Sequence, residues 1–119
     1  MIKEDYCSFE VARLLKEKGF DIPVWTRYED NGKVIFGDKY NWNNSPMGQT
    51  SAPTLQMAMK WLRKEHKLYI TISHRFSHNA DQDVCFSYYI NVDRAEDGEY
   101  MTYEEAVGAA LKYTLENLI

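Results

Sequence analysis

Cysteine is scarce in this chain. The 119 residues contain two, Cys7 and Cys85, and they form no Cys-x-x-Cys pair. A disulfide framework needs several cysteines at short spacing, and a zinc site usually needs paired ones. Both thiols are therefore expected to be reduced, as in a cytoplasmic protein.

Long apolar runs are also missing. No stretch reaches the roughly 18 residues that a membrane-spanning helix requires. The opening MIKEDYCSF has no apolar run after a basic region, which a secretory signal would show. We expect a cytoplasmic protein with no membrane partner.

Basic excess and phosphate-binding motifs are absent as well. The net charge is −4 and the isoelectric point is near 5.3, which argues against a duplex DNA partner. Neither glycine-rich phosphate motif occurs. One small basic cluster is present, and it consists of Lys60, Arg63, Lys64 and Lys67. Its simplest interpretation is a solvated helix face, and anion binding is the alternative.

Aromatic residues, in contrast, are plentiful. Three Trp, nine Tyr and five Phe accompany a 45% hydrophobic content, which is ample for a core in a chain of this length. We predict a single domain over residues 1–119.

Three segments have the apolar spacing of helices. The first runs from about Ser8 to Lys18, with Ser8 as its cap. The second covers TLQMAMKWLRKEH, with Ser51 or Thr54 as its cap. The third starts at Thr102, which has capping-box spacing to Glu105, and runs to the chain end.

Two segments between the helices predict hairpins. VWTRYED and KVIFGD flank Asn31-Gly32, which favours a two-residue turn that sets Tyr28 opposite Ile35 and Arg27 opposite Phe36. LYITISHRF and VCFSYYINV alternate with period two, and pairing Phe76 with Val84 gives one apolar and one polar face.

These elements predict an α+β fold in the order α-ββ-α-ββ-α. We expect a four-stranded, mainly antiparallel sheet covered by three helices in a layered α/β/α sandwich. The second and third helices are expected to share the apolar sheet face, which consists of Ile70, Ile72, Phe86, Tyr88 and Ile90.

No catalytic or metal signature accompanies this fold. The candidate metal ligands are His66, His74, His78, Asp81 and Asp83. Their spacing does not place them on a common face of a helix or strand, so a metal site is not predicted. Cys85 is predicted opposite Arg75, which would favour the thiolate, but no histidine base is placed beside it. We expect a buried inert thiol, no metal and no cofactor.

The polar face of the second hairpin has the composition of a binding surface. Its candidate residues are Tyr69, Ser73, Arg75 and Tyr89. The face is either open or covered by the first helix, with its hydroxyls bonded internally, and the sequence favours neither.

A charge-free loop, NWNNSPMGQTSAP at 41–53, adds Trp42 to these candidates. Residues 51–53 are predicted to start the second helix, with Pro53 in its first turn. Trp42 is expected to pack on the core. If it were instead exposed beside Tyr69, the loop would become the first choice for a binding site.

Part of the chain resembles a known family. SPMGQTSAPTLQMAMKWL, followed by two strands and YEEAVGAALKYTL, resembles small phage and prophage proteins of the phage ABA sandwich domain family over residues 46–115. The resemblance implies helices around an antiparallel sheet in three layers, and a viral or mobile-element context. It implies no activity and no site residues.

The function that these observations favour is a non-enzymatic binding or protein-interaction module of phage or mobile-element origin. One variant is an inhibitor of host defence that binds a host protein or sequesters a nucleotide ligand. The alternative is an enzyme with an unrecognised site around Arg75 and Cys85. The partner is expected to be a protein or a small ligand, and the chain a monomer or homodimer.

Overall fold

A computed structural model describes residues 4–76, 84–91, 93–94 and 99–119. The helices are α1 (Phe9–Glu17), α2 (Leu55–His66) and α3 (Tyr103–Asn117), and a 3-10 turn covers Trp42–Asn44. The strands are β1 (Val24–Tyr28), β2 (Val34–Tyr40), β3 (Thr50–Ser51), β4 (Ile70–Phe76), β5 (Val84–Ile90) and β6 (Asp93–Arg94).

All three helices begin where the sequence places a capping hydroxyl. The backbone N–H of Val11 donates to Ser8 Oγ at 3.2 Å, and that of Met57 donates to Thr54 Oγ1 at 3.1 Å. Thr102 caps α3 by accepting from the Glu105 N–H at 3.1 Å. These bonds satisfy N–H groups that have no partner within the helix, so the predicted starts of α1 and α3 are confirmed, and Thr54 is the cap of α2.

The first hairpin turns over three residues, and the predicted two-residue turn is wrong. The Glu29 N–H donates to the Lys33 carbonyl at 2.8 Å, which leaves residues 30–32 as the loop, with Gly32 at φ +86°. This is the hairpin in which a turn is followed by a left-handed glycine. Arg27 consequently lies opposite Ile35, and Tyr28 opposite Val34, one residue away from the predicted register.

The second hairpin has the predicted register. Phe76 pairs with Val84, Ser73 with Ser87, and Arg75 with Cys85. The strict alternation of apolar and polar residues fixes this register, because a slip by one residue would turn every apolar side chain to the other face.

The prediction of one four-stranded sheet is wrong, although the α+β class is confirmed. The strands form two antiparallel sheets, a first sheet in the order β2-β1-β3 and a second sheet in the order β4-β5-β6. β1 has the short β3 on its other side, while β5 is flanked by β6, so the two hairpins do not pair with each other.

The helices join the two sheets, and this arrangement differs from the predicted α/β/α layering. α1 contacts both β3 and α3, and α3 contacts β4 and β5. On the apolar face of the second sheet Tyr88 meets Tyr113 of α3, with ring centroids 6.4 Å apart. The main helical contact of α2 is with α3, and Trp61 of α2 packs edge-on against Phe20 at 5.4 Å.

One cluster of buried apolar side chains runs through these contacts. It draws on all three helices and on both sheets, and its members include Val11, Leu15, Phe20, Val24, Trp61, Leu62, Ile70, Tyr88, Val107 and Leu111. Within the described part of the chain, no helix combines the length and apolar character needed to cross a bilayer.

Candidate functional site

The polar face of the second sheet is open at one end and closed at the other. Tyr69 is 49% exposed, whereas Ser87 on the central strand is buried. Ser73 and Ser87 share a hydrogen bond of 3.0 Å across the strands. The Ser73 hydroxyl of the predicted binding surface is therefore used internally, whereas Tyr69 is exposed and Tyr89 is half-buried.

Arg75 has the predicted main-chain position opposite Cys85, but its side chain lies outside the described residues. Cys85 is 4% exposed, as expected of a buried thiol. Cys7 is fully buried as well, and this burial raises the pKa of its thiol to about 12.

Two histidines of the hypothetical metal cluster, His66 and His74, lie on different elements, α2 and β4. His66 packs against Trp61 at 4.9 Å, while His74 lies on the second sheet against Phe86 at 6.4 Å. Among the residues that the structure describes, no three His, Cys, Asp or Glu side chains are grouped to hold a metal ion. His78, Asp81 and Asp83 lie outside the described residues.

Trp42 packs on the first sheet, as predicted for an anchored residue. Its indole N–H donates to the Val24 carbonyl at 3.0 Å, and its ring meets Tyr40 at 5.0 Å. The guanidinium carbon of Arg27 lies 4.2 Å from the ring centroid, which is close enough for a cation–π contact. Trp42 is thus placed away from Tyr69 and has no free polar group to offer a ligand.

The rest of the charge-free loop is fastened to the fold, and its predicted role in helix initiation is wrong. Ser51 belongs to β3 and pairs with Arg27, while Ala52 continues this contact by donating to the Thr26 carbonyl at 2.9 Å. Pro53 precedes the cap Thr54 and does not lie in the first turn of α2. An added edge strand explains how so long a segment fits in a compact domain.

A different part of the surface has the shape of a binding site. Two adjoining clefts lie beside α2, the first between α2 and the first sheet and the second between α2 and Ile22, and we call them together the α2 groove. The first cleft has a volume of about 300 Å³ and is lined by Tyr6, Ile22, Pro23, Val24, Trp25, Thr26, Lys39, Ala52, Pro53, Thr54 and Met57. The second has about 310 Å³ and is lined by Ile22, Met57, Lys60, Trp61, Lys64 and Glu65.

Large apolar side chains around this groove face solvent. Trp25 is 63% exposed, Met57 36% and Tyr6 38%. Next to the first cleft, Phe36 is 65% exposed and its ring meets that of Tyr6 edge-on at 5.8 Å. We call Tyr6, Trp25 and Phe36 the aromatic rim.

A bulge in β2 positions Lys39 at the first cleft. Val24 pairs with Tyr40 and Thr26 with Phe36, so three residues of β2, 37–39, lie opposite Trp25 alone. Gly37 and Asp38 reach this geometry with φ of +146° and +28°. Bulges of this kind redirect the side chains that follow them, and here the extra residues end at a lysine that lines an apolar cleft.

The wall of the first cleft also contains an unsatisfied polar group. The Thr26 hydroxyl has no hydrogen-bond partner in the described part of the chain, and the residue is only 1% exposed, so water does not reach the hydroxyl either. Most buried polar groups in proteins are paired. The sequence did not predict this groove, because its parts come from four separate segments and an exposed residue such as Trp25 fits the alternation of any half-buried strand.

No family model matches this chain, and no curated protein or solved structure shows significant similarity to it. The function of the chain must therefore be inferred from its own geometry.

Proposed function

We propose that this protein is a non-enzymatic interaction module that binds a partner protein at the α2 groove and its aromatic rim. The observation that carries the proposal is the concentration of exposed large apolar side chains beside one pair of clefts, with Trp25 and Phe36 each more than 60% exposed. Contiguous exposed apolar surface of this kind marks interaction sites, because water is excluded from it only when a partner covers it.

The composition of the groove fits the centre of a protein interface. Trp and Tyr supply much of the binding energy in such interfaces, and the rim provides one Trp, one Tyr and one Phe. Met57 lies between the two clefts and lines both. Its flexible thioether side chain can adapt to the partner's shape.

The test compares two exposed aromatic positions on different sheets. Wild type, Trp25→Ser and Tyr69→Ser are used as baits in a lysate of the organism that encodes the chain, and candidate partners are purified and titrated by calorimetry. We expect a partner that binds wild type and Tyr69→Ser alike and loses most of its affinity for Trp25→Ser. A partner that depends on Tyr69 and not on Trp25 would move the site to the second sheet.

The second sheet is the other candidate surface, supported by the exposure of Tyr69 and by the neighbouring Thr71. The phage or mobile-element origin, and within it the inhibition of host defence, is part of the proposal and is supported by the resemblance of residues 46–115. An enzyme with its site at Arg75 and Cys85 is the competing class. Turnover of a substrate that is abolished by Cys85→Ala would establish it.

A further inference from the structure

The charge of the α2 groove is opposite to the charge of the chain. Lys39 lines the first cleft, and Lys60 and Lys64 line the second, whereas Glu65 is the acid among the lining residues. The whole chain has a net charge of −4. A local cationic surface in an acidic protein favours an anionic partner and orients its approach.

These three lysines are not used by the fold. All are exposed, and none makes an ion pair or hydrogen bond within the residues that the structure describes. Elsewhere, Lys112 pairs with Glu10 at 2.9 Å, and Lys16 and Lys18 donate to backbone carbonyls at 2.9 and 2.8 Å. The ammonium groups that remain free at the groove are thus available to an external carboxylate.

The helix sets the apolar and cationic groups side by side. Met57, Lys60, Trp61 and Lys64 follow the spacing of three and four residues that places side chains on one face of α2. Met57 and Trp61 provide apolar surface, and the lysines flank it. The first cleft repeats this combination with Val24 and Lys39.

We infer that the α2 groove binds an acidic peptide segment of another protein, which inserts one apolar side chain into each cleft and sets carboxylates against Lys39, Lys60 and Lys64. This inference deepens the proposed function and rests on it. The two clefts have almost equal volumes and share Ile22 and Met57, as expected for a groove that binds successive side chains of one peptide.

The probe is a displayed library of random 12-residue peptides selected against the full chain. The best peptide is synthesised and titrated against wild type, the groove variant Lys60→Glu/Lys64→Glu and the matched control Lys33→Glu/Lys67→Glu. The two variants have the same net charge, and all four lysines are exposed. Circular dichroism checks that both fold.

The expected peptides contain two large apolar residues flanked by Asp or Glu. The groove variant is expected to bind roughly tenfold more weakly or worse, because two attractions become repulsions. The control variant should stay within about twofold, since neither Lys33 nor Lys67 lines either cleft and salt screens charges that the peptide does not contact directly. Added salt should weaken wild-type binding.

Four outcomes would overturn the inference: selection of neutral or basic peptides, no enrichment at all, equal loss of affinity in both variants, or concentration-dependent dimers that bury the groove. Nucleoside monophosphates are titrated in parallel, and binding of these without any peptide would replace the assigned ligand class. In each case, a partner protein whose binding still depends on Trp25 would support the proposed function. Failure of the acidic-peptide inference is therefore distinguishable from failure of the proposed function.

Discussion

Asn43 and Ser51 are joined by two reciprocal hydrogen bonds. The Ser51 N–H donates to Asn43 Oδ1 at 2.8 Å, and the Asn43 N–H donates to Ser51 Oγ at 3.2 Å. The amide group of Asn43 donates in addition to the Phe20 carbonyl at 2.8 Å. One side chain therefore ties the 3-10 turn to β3 and to the segment that follows α1, which makes the charge-free loop a structural clasp.

Replacing Asn43 by Ala should lower the free energy of unfolding by about 2–4 kcal/mol, because Ser51 and Phe20 lose partners at partly buried positions. Urea unfolding measures the change. Asn44→Ala is the matched control, since this neighbour is exposed and should stay within about 0.5 kcal/mol. Equal losses in the two variants would contradict the role of the clasp.

The two tryptophans that line the groove should differ sharply in their contribution to stability. Trp61 is 5% exposed, so Trp61→Ala is expected to cost about 3–5 kcal/mol by opening a cavity. Trp25 is 63% exposed, and Trp25→Ala should change stability by less than about 0.5 kcal/mol. Thermal and urea unfolding of both variants test this, and a large loss at Trp25 would mean that its ring serves the fold and not a partner.

Replacing two glycines by alanine should change the stability of the protein in opposite directions. Gly32 has φ +86°, and an added Cβ would lie 3.4 Å from the Phe9 ring, so Gly32→Ala should destabilise by about 1–2 kcal/mol. Gly108 lies within α3 with nothing within 4 Å of an added Cβ. Gly108→Ala should therefore stabilise by about 1 kcal/mol through helix propensity. Chemical denaturation is the measurement, and a destabilising Gly108→Ala would show that α3 needs the glycine for close packing.

Cys7 should make stability depend on pH in the alkaline range. Burial raises its pKa from 9.0 to about 12, so the neutral thiol is favoured in the folded protein. Its contribution to stability is fully present below pH 9 and is lost as the pH rises from there towards about 12. Wild type should lose about 1.4 kcal/mol more than Cys7→Ala between about pH 8 and about pH 10. Parallel pH dependences of the two proteins in urea unfolding would refute this assignment.

The helices could be predicted because their signals are local. Ser8, Thr54 and Thr102 precede apolar stripes, and a capping hydroxyl needs only the three residues that follow it. The β4–β5 register was predictable for a similar reason, because the apolar faces of two neighbouring strands can be satisfied together in one alignment. In the first hairpin, apolar groups occur on both faces, so the pattern could not choose between a two-residue and a three-residue loop.

The candidate site was predictable only in part. The anchoring of Trp42 was predicted from its aromatic character, whereas the sequence left open whether the face of Tyr69 is exposed. The α2 groove requires residues from Tyr6 to Glu65 to meet. Lys39 reaches it through a bulge in β2 whose position no alternation indicates.

The sequence by itself determined the α+β class, the three helices with the caps of the first and third, and the face that each strand of the second hairpin turns to the core. These properties depend on residues within a few positions of one another. The tertiary structure alone decided that the hairpins form two sheets, that Thr50 and Ser51 become a strand, and that the lysines of β2 and α2 converge on one groove. Such outcomes depend on contacts between segments that are distant in the sequence. These contacts form, and contribute to the free energy of folding, only when the whole chain is packed.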